Sequence, residues 1–288
     1  MDFFSLVGMV LAFLSVILTM VFDHGNVLAL VHFPAFLMVF GGTTGAILLQ
    51  TPPRIFVRGL KIMPWVFFPP SNDSSKLVDW ILDWAQIARR EGVLALEPIA
   101  NDEKDPFLKE ALSLVIDGIP PTMVRAILET KVHSREEYEM SAARVFEQMG
   151  GYAPTVGIIG AVLGLITVMS HLNDPANLGS GIATAFVATV YGVGSANLIY
   201  LPIANKLRAV IRHGVRRQEI IVEGLLGIAT SEPRLHLAMK LSSFMHDGEV
   251  EPVIDPNEGE DDDGTGNEEE LSPESEFKDA PADEKRSA

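Results

Sequence analysis

The 288-residue sequence predicts an all-α membrane protein: four transmembrane helices arranged as two hairpins, a helical cytoplasmic insert between them, and a disordered acidic C-terminal tail. Three observations carry this reading. The chain holds four charge-free apolar runs of spanning length, all 22 of its Lys and Arg fall outside those runs, and its formal charge of −16 is concentrated at one end. Residues Asp247 to Ala288 carry 17 acidic and 3 basic residues, which leaves the rest of the chain nearly neutral at −2.

The first run, Phe3 to Phe22, meets the roughly 20 apolar residues a helix needs to cross a bilayer. Met1-Asp2 offers no basic n-region, so the run reads as a retained span rather than a cleaved signal. A short polar break, Asp23-His24-Gly25-Asn26, separates it from a second run, Val27 to Leu49, and residues 1–50 make the first hairpin. Residues 51–149 are charged and soluble in character, with helical patterning over Leu77 to Leu96 and Pro106 to Ile116. The third run, Tyr152 to Ser170, and the fourth, Ile182 to Ala204, make the second hairpin over residues 150–205. Residues 206–246 continue as an amphipathic helix with apolar positions at Ile211, Val215, Ile220, Leu225 and Ile228. From 247 to 288 the chain is too acidic and too poor in branched and aromatic residues to offset its own entropy.

Lys and Arg set the orientation. Twelve lie between Thr51 and Gln148 and seven between Lys206 and Lys240, whereas the two hairpin turns carry none. The positive-inside rule then predicts both termini and the insert in the cytoplasm, with the two hairpin turns facing outward.

Function classes fall away for chemical reasons. With no Cys there is no disulfide, thiolate metal site or cysteine nucleophile, and no phosphate-loop, zinc-protease or serine-hydrolase signature occurs. The expectation is a protein that is not an enzyme, carries no cofactor and binds no nucleic acid. Between Gln148 and Lys206 the only ionisable Asp, Glu, Lys or Arg is Asp174, in the outer turn. A chain that relays protons alone places an ionisable group inside the membrane. If this one moves protons, a partner supplies the carboxylate, and hydroxyls such as Thr155 and Thr189 line the path or bond to their own helix carbonyls.

The third span is rich in Gly, including Gly160 and Gly164 four residues apart, and Gly41 and Gly45 repeat that spacing in the second; both pairs point to close helix packing. Pro154 and Pro202 lie near the cytoplasmic ends of antiparallel spans, at similar expected depth. Pro154 is compatible with a helix start or a hinge, whereas the helical pattern runs on past Pro202.

Four spans in two hairpins, a large cytoplasmic insert, the Pro154 span, Tyr191-Gly192, the turn Asn173-Asp174-Pro175 and Leu201-Pro202-Ile203-Ala204-Asn205-Lys206-Leu207 together resemble the MotA/PomA stator subunits of the bacterial flagellar motor, within the MotA/TolQ/ExbB proton channel family. The resemblance covers about residues 1 to 240 and not the tail. It implies a homo-oligomer, a ring of five such chains around two MotB-like chains, each a single-span peptidoglycan-binding subunit with an ion-carrying Asp. It also implies that ion passage drives the ring against the rotor protein FliG. By resemblance Pro154 and Pro202 couple ion binding to conformational change, Thr189 faces the partner's Asp, and Arg89, Arg90 and Glu97 engage the rotor. Sodium-driven members carry Thr where Ala161 stands and Asp where His32 stands, so these departures favour protons over sodium. His32 on its own is more often structural than a relay.

Two rivals remain at this stage. A TolQ/ExbB-like energiser of envelope transport resembles a three-span layout, against which the charge-free first hairpin argues. A non-conducting membrane scaffold would need neither proline.

Overall fold

The computed structural model describes residues 2–22, 24, 27–70, 74–170 and 175–245. The expected disordered tail, the turn motif Asn173-Asp174 and most of the first hairpin turn lie outside these residues. The described residues are predominantly helical, with no strand among them.

Helix α1, Phe3–Phe22, has no buried residue. It is tied to the rest of the chain at its start, where the Asp2 N–H donates to the Phe67 carbonyl at 2.9 Å and the Asp2 carboxylate pairs with Lys206. Helix α2, Phe33–Gln50, begins at the His32 cap with Pro34 in its first turn and contains a π-turn at Leu37–Gly41. Helix α3, Pro53–Ile62, opens on a proline. Helix α4, Ser74–Glu91, ends at Gly92, whose φ of 89° and ψ of 160° belong to a region that side chains exclude. A 3-10 turn, Val93–Leu96, leads into α5, Glu97–Asp102. Helix α6, Pro106–Ile116, is capped by Asp105, whose carboxylate accepts the Phe107 N–H at 3.0 Å.

Two long rods then dominate the molecule. Helix α7 runs without interruption from Pro121 to Ser170, 50 residues and roughly 75 Å. Helix α8, Pro175–Ser195, passes through a π-turn, Ala196–Tyr200, into α9, Leu201–Ala229. Helix α9 stops in a Schellman arrangement: the Glu232 N–H reaches the Gly227 carbonyl at 2.9 Å and the Ser231 N–H the Ile228 carbonyl at 3.1 Å. Pro233 and α10, Arg234–Ser242, follow.

The expected insert helices are present, α6 with the bounds read from the sequence and α4 cut short at Gly92. The divisions drawn at 149/150 and 205/206 are changes of polarity along unbroken helices, not chain breaks. The expected amphipathic segment after the fourth span divides into α9 and α10, with Ile211, Ile220, Leu225 and Ile228 buried and Val215 partly so.

Two large cores and a smaller one between α2 and α8 hold the rods in register. Leu77 and Ile81 of α4, Leu112 of α6, Leu128 of α7 and Ile220 and Leu225 of α9 centre the insert. Ile47, Ile62, Phe146, Ala204 and Leu207 join α2 and α3 to the middle of α7 and the start of α9. Charge pairs cross-brace the two large cores. The Arg58 guanidinium donates through Nε to Glu139 at 2.8 Å, makes a second bond to the same carboxylate, and lies 5.4 Å over the Trp65 ring. Because Glu139 is buried, losing Arg58 would strand a charge there. Arg125 and Lys240 both bind Glu223, tying the start of α7 to α9 and α10.

Candidate functional site

The site is built on a backbone-to-backbone seam between α7 and α8. A Cβ placed on Gly157 would lie 2.9 Å from the Ala188 carbonyl oxygen and 3.1 Å from Gly192 Cα, and one on Gly164 would lie 2.8 Å from Ala185 N. Gly160 meets Ala188 Cβ and Met38 in the same row. Small residues at this spacing let two membrane helices touch along their main chains. The Gly41 and Gly45 pair does not do this among the described residues: Gly45 faces open space and Gly41 only its own helix neighbour Leu37. The close approach of α2 is made instead by Gly42, one position and about 100° round the helix, whose Cβ would lie 2.9 Å from Val156.

Helix periodicity places the expected coupling residues about this seam. Taking the line Ala153, Gly157, Gly160, Gly164 as the seam of α7, Pro154 and Ala161 lie about 80–100° to one side, and Thr189 lies about 80° to one side of the line Gly181, Ala185, Ala188, Gly192 on α8. Helix α2 marks the other side, because it touches α7 at Val156 and α8 at Val187, Thr184 and Tyr191. Pro154, Ala161 and Thr189 therefore share the face of the α7–α8 pair that α2 leaves uncovered. All three are half-buried, and around them the same face exposes Ile158, Leu165, Phe186 and Val193. Thr155 is not part of this group. It points away from the seam, is exposed, and its hydroxyl donates to the Tyr152 carbonyl at 2.8 Å.

Pro154 lies inside α7, far from either end, so the helix-start alternative is excluded and the Gly150 carbonyl loses its usual helix donor. Pro202 is exposed at the second position of α9, directly after the π-turn in which the Leu201 N–H reaches back to the Ala196 carbonyl. That wider turn precedes the residue that has no N–H to give, and such turns recur at functional positions. Gly150 packs on Leu201, its Cβ position 2.7 Å from Leu201 Cγ, so the two proline-bearing turns sit at neighbouring levels. Beside Pro202 a cavity of about 330 Å³ opens toward Gly8 and Ala12 of α1. Most hydroxyls of the pair satisfy themselves locally: Thr189 donates to the Ala185 carbonyl at 3.2 Å, Thr167 to Leu163 at 3.1 Å and Ser195 to Gly192 at 3.2 Å.

Within the insert Arg89 and Arg90 form the last turn of α4 and Glu97 the first residue of α5, with Gly92 and the 3-10 turn making the corner between them. All three are exposed, and none makes an ion pair among the described residues. This corner has charge to offer a partner.

Two features were not foreseen from the residues alone. One is the Arg58–Glu139 brace, which joins positions 81 apart in the chain. The other is an acidic cavity of about 300 Å³ between α7 and α9, lined by Glu129, His133, Glu136, Glu219 and Glu223. Burial pushes the Glu219 carboxyl above its ordinary value, and the facing Glu136 adds to the rise while Arg216 opposes it. Burial acts in the same sense on Glu223, but hydrogen bonds from Arg125 and Lys240 outweigh it and hold that carboxyl below its ordinary value.

Comparison with known proteins places this architecture. The MotA/TolQ/ExbB proton channel family model matches residues 99–220. Motility protein A of Bacillus subtilis is 34% identical over 250 residues, which covers 85% of this chain and 91% of that protein. Among solved structures, a chain of the C. jejuni MotAB structure matches with a TM-score of 0.82 at 31% identity, covering 87% of this chain and 99% of that one. A chain of the flagellar MotAB stator complex from Bacillus subtilis matches with a TM-score of 0.76 at 33% identity, covering 84% of this chain and 96% of that one.

Proposed function

Since the chain belongs to the MotA/TolQ/ExbB proton channel family, as a multi-pass membrane subunit of the flagellar motor stator, we propose that it walls a proton path whose carboxylate is lent by a MotB-like partner. The observation that carries this is the uncovered face of the α7–α8 pair. It brings together Pro154, Ala161 and Thr189, and nothing on either helix between Gln148 and Lys206 ionises as Asp, Glu, Lys or Arg once the turn residue Asp174 is set aside. A partner helix carrying one Asp against this face completes the relay that the chain lacks.

Protons rather than sodium ions are the coupling species. Ala161 gives that face a methyl group where a hard cation would need an oxygen ligand. One charge crossing 100 mV supplies about 2.3 kcal/mol, enough to bias a helix shift between two packed arrangements. Pro154 and Pro202 are the places where such a shift is taken up, because their turns lack a ladder hydrogen bond each. Helices α7 and α9 carry it to the insert, and Arg89, Arg90 and Glu97 deliver it to FliG. Five such chains around two partner chains follow from the family resemblance, and both termini and the insert in the cytoplasm fit the charge-free turns and the distribution of Lys and Arg.

The test is Pro202→Ala. It restores an N–H donor at an exposed position, so partner pull-down is retained while motility is lost. Full swimming by that variant would remove Pro202 from the mechanism. The envelope-transport and scaffold readings are not favoured, given relatives that are motility proteins along most of their length.

A further inference from the structure

The outer end of α2 is fastened to α8 by side chains that the proposed ion path does not use. The Tyr191 phenol donates to the Leu30 carbonyl at the end of the 3-10 turn Val27–Leu30, and the same oxygen accepts the His32 N–H at 3.4 Å. The His32 ring works in two directions. Its Nδ1 accepts the Ala35 N–H at 3.4 Å and so caps α2, and its Nε2 lies 3.2 Å from the Thr184 hydroxyl. An Nδ1 that accepts leaves the ring proton on Nε2, which then donates to Thr184. Phe36 and Phe40 pack edge-on against Tyr191, with ring centroids 6.5 and 6.2 Å away.

Thr184 and Tyr191 are seven residues apart and therefore on one side of α8, two turns from each other. Between them Val187 and Ala188 are buried against Ala35 and Val39. A helix gripped at two levels on one side cannot turn about its axis, and in hydrocarbon the freed polar groups would find no water. Thr189 lies about 140–160° round the same helix from the gripped side.

We propose that His32, Thr184 and Tyr191 form a clamp that fixes the rotational setting of α8 and thereby aims Thr189 at the face where the partner's carboxylate runs. The three are positioning residues: none touches the proton path. The clamp grips α8 ahead of the π-turn Ala196–Tyr200 that leads into α9. The inference rests on the proposed ion path, and its test separates the two.

The chain contains no native Cys, so single cysteines introduced along α8 from position 185 to 195 in the assembled complex can be read cleanly with a water-soluble thiol reagent. With the clamp intact, reactivity should follow a helical period with its maximum at 189. In Tyr191→Phe combined with Thr184→Val, which keeps the ring packing and the side-chain shapes, the maximum should shift to a neighbouring position while partner pull-down persists. An unmoved maximum overturns the clamp. A maximum that moves but never lay at 189 upholds the clamp and refutes the ion path through that face. Should the double variant fail to assemble, the scan is read in each single variant, and an unmoved maximum in both overturns the proposal.

Discussion

At Gly157 there is no space for even a methyl group, because the Ala188 carbonyl oxygen and Gly192 Cα already stand where it would go. Gly157→Leu should therefore drive α7 and α8 apart and cost about 1–3 kcal/mol, read as a lower Tm of the detergent-solubilised complex. A second residue bears on pH. The Glu219 carboxyl is raised from its ordinary 4.5 by burial and by Glu136, so the folded chain holds that proton more tightly than the unfolded one. Its contribution is fully present below 4.5 and is lost as pH rises through the elevated folded value. Glu219→Gln should remove that loss, leaving the variant relatively more stable than the parent at neutral pH and flattening its stability profile through the weakly acidic range. Thermal melts at stepped pH check this, and parallel profiles would refute it. Glu223 works in the opposite sense: held low by Arg125 and Lys240, it contributes above 4.5 and loses that contribution as pH falls.

Among the elements, the corner between α4 and α5 stands apart because its charges form no ion pair among the described residues. Exposed charges on a helix are ordinarily worth little to stability, so Arg90→Glu should leave the fold intact and lower torque. A compensating charge reversal on FliG should restore part of that torque, and bead-assay speeds equal to the parent's would reduce the corner to a solvated surface. How much of each element was legible in the sequence depends on what sets it. Charge-free runs announced all four spans, since solvent alone dictates their composition, and α6 was readable to its ends because Asp105-Pro106 starts it. The continuity of α7 was not readable. A helix that leaves the insert and enters the membrane changes polarity without any change in backbone, and polarity was the only signal there. Gly92 ended α4 earlier than its apolar pattern suggested, because that pattern persists through the 3-10 turn Val93–Leu96. The candidate site was half legible. Pro154, Ala161 and Thr189 could be named one by one, but their common face depends on where α2 lies, which Gly42, Thr184 and Tyr191 decide through contacts distant in the chain.

Across the whole molecule, α7, like α9, belongs to both the insert and the membrane-embedded half, and its helix is unbroken between them. Its length makes angular phase a conserved quantity: what the insert is locked to at Leu128 and what the membrane is locked to at Gly157 must stay in step around a single screw. One extra alanine between those positions would rotate everything beyond it by about 100°, whereas seven extra residues would bring it back to within about 20°. Insertion strains with one added residue should be immotile and those with seven partly motile, as counted on soft agar, and equal motility of the two would mean that the shaft slips. Mutational tolerance along this stretch should then track the modulus of the insertion rather than its size.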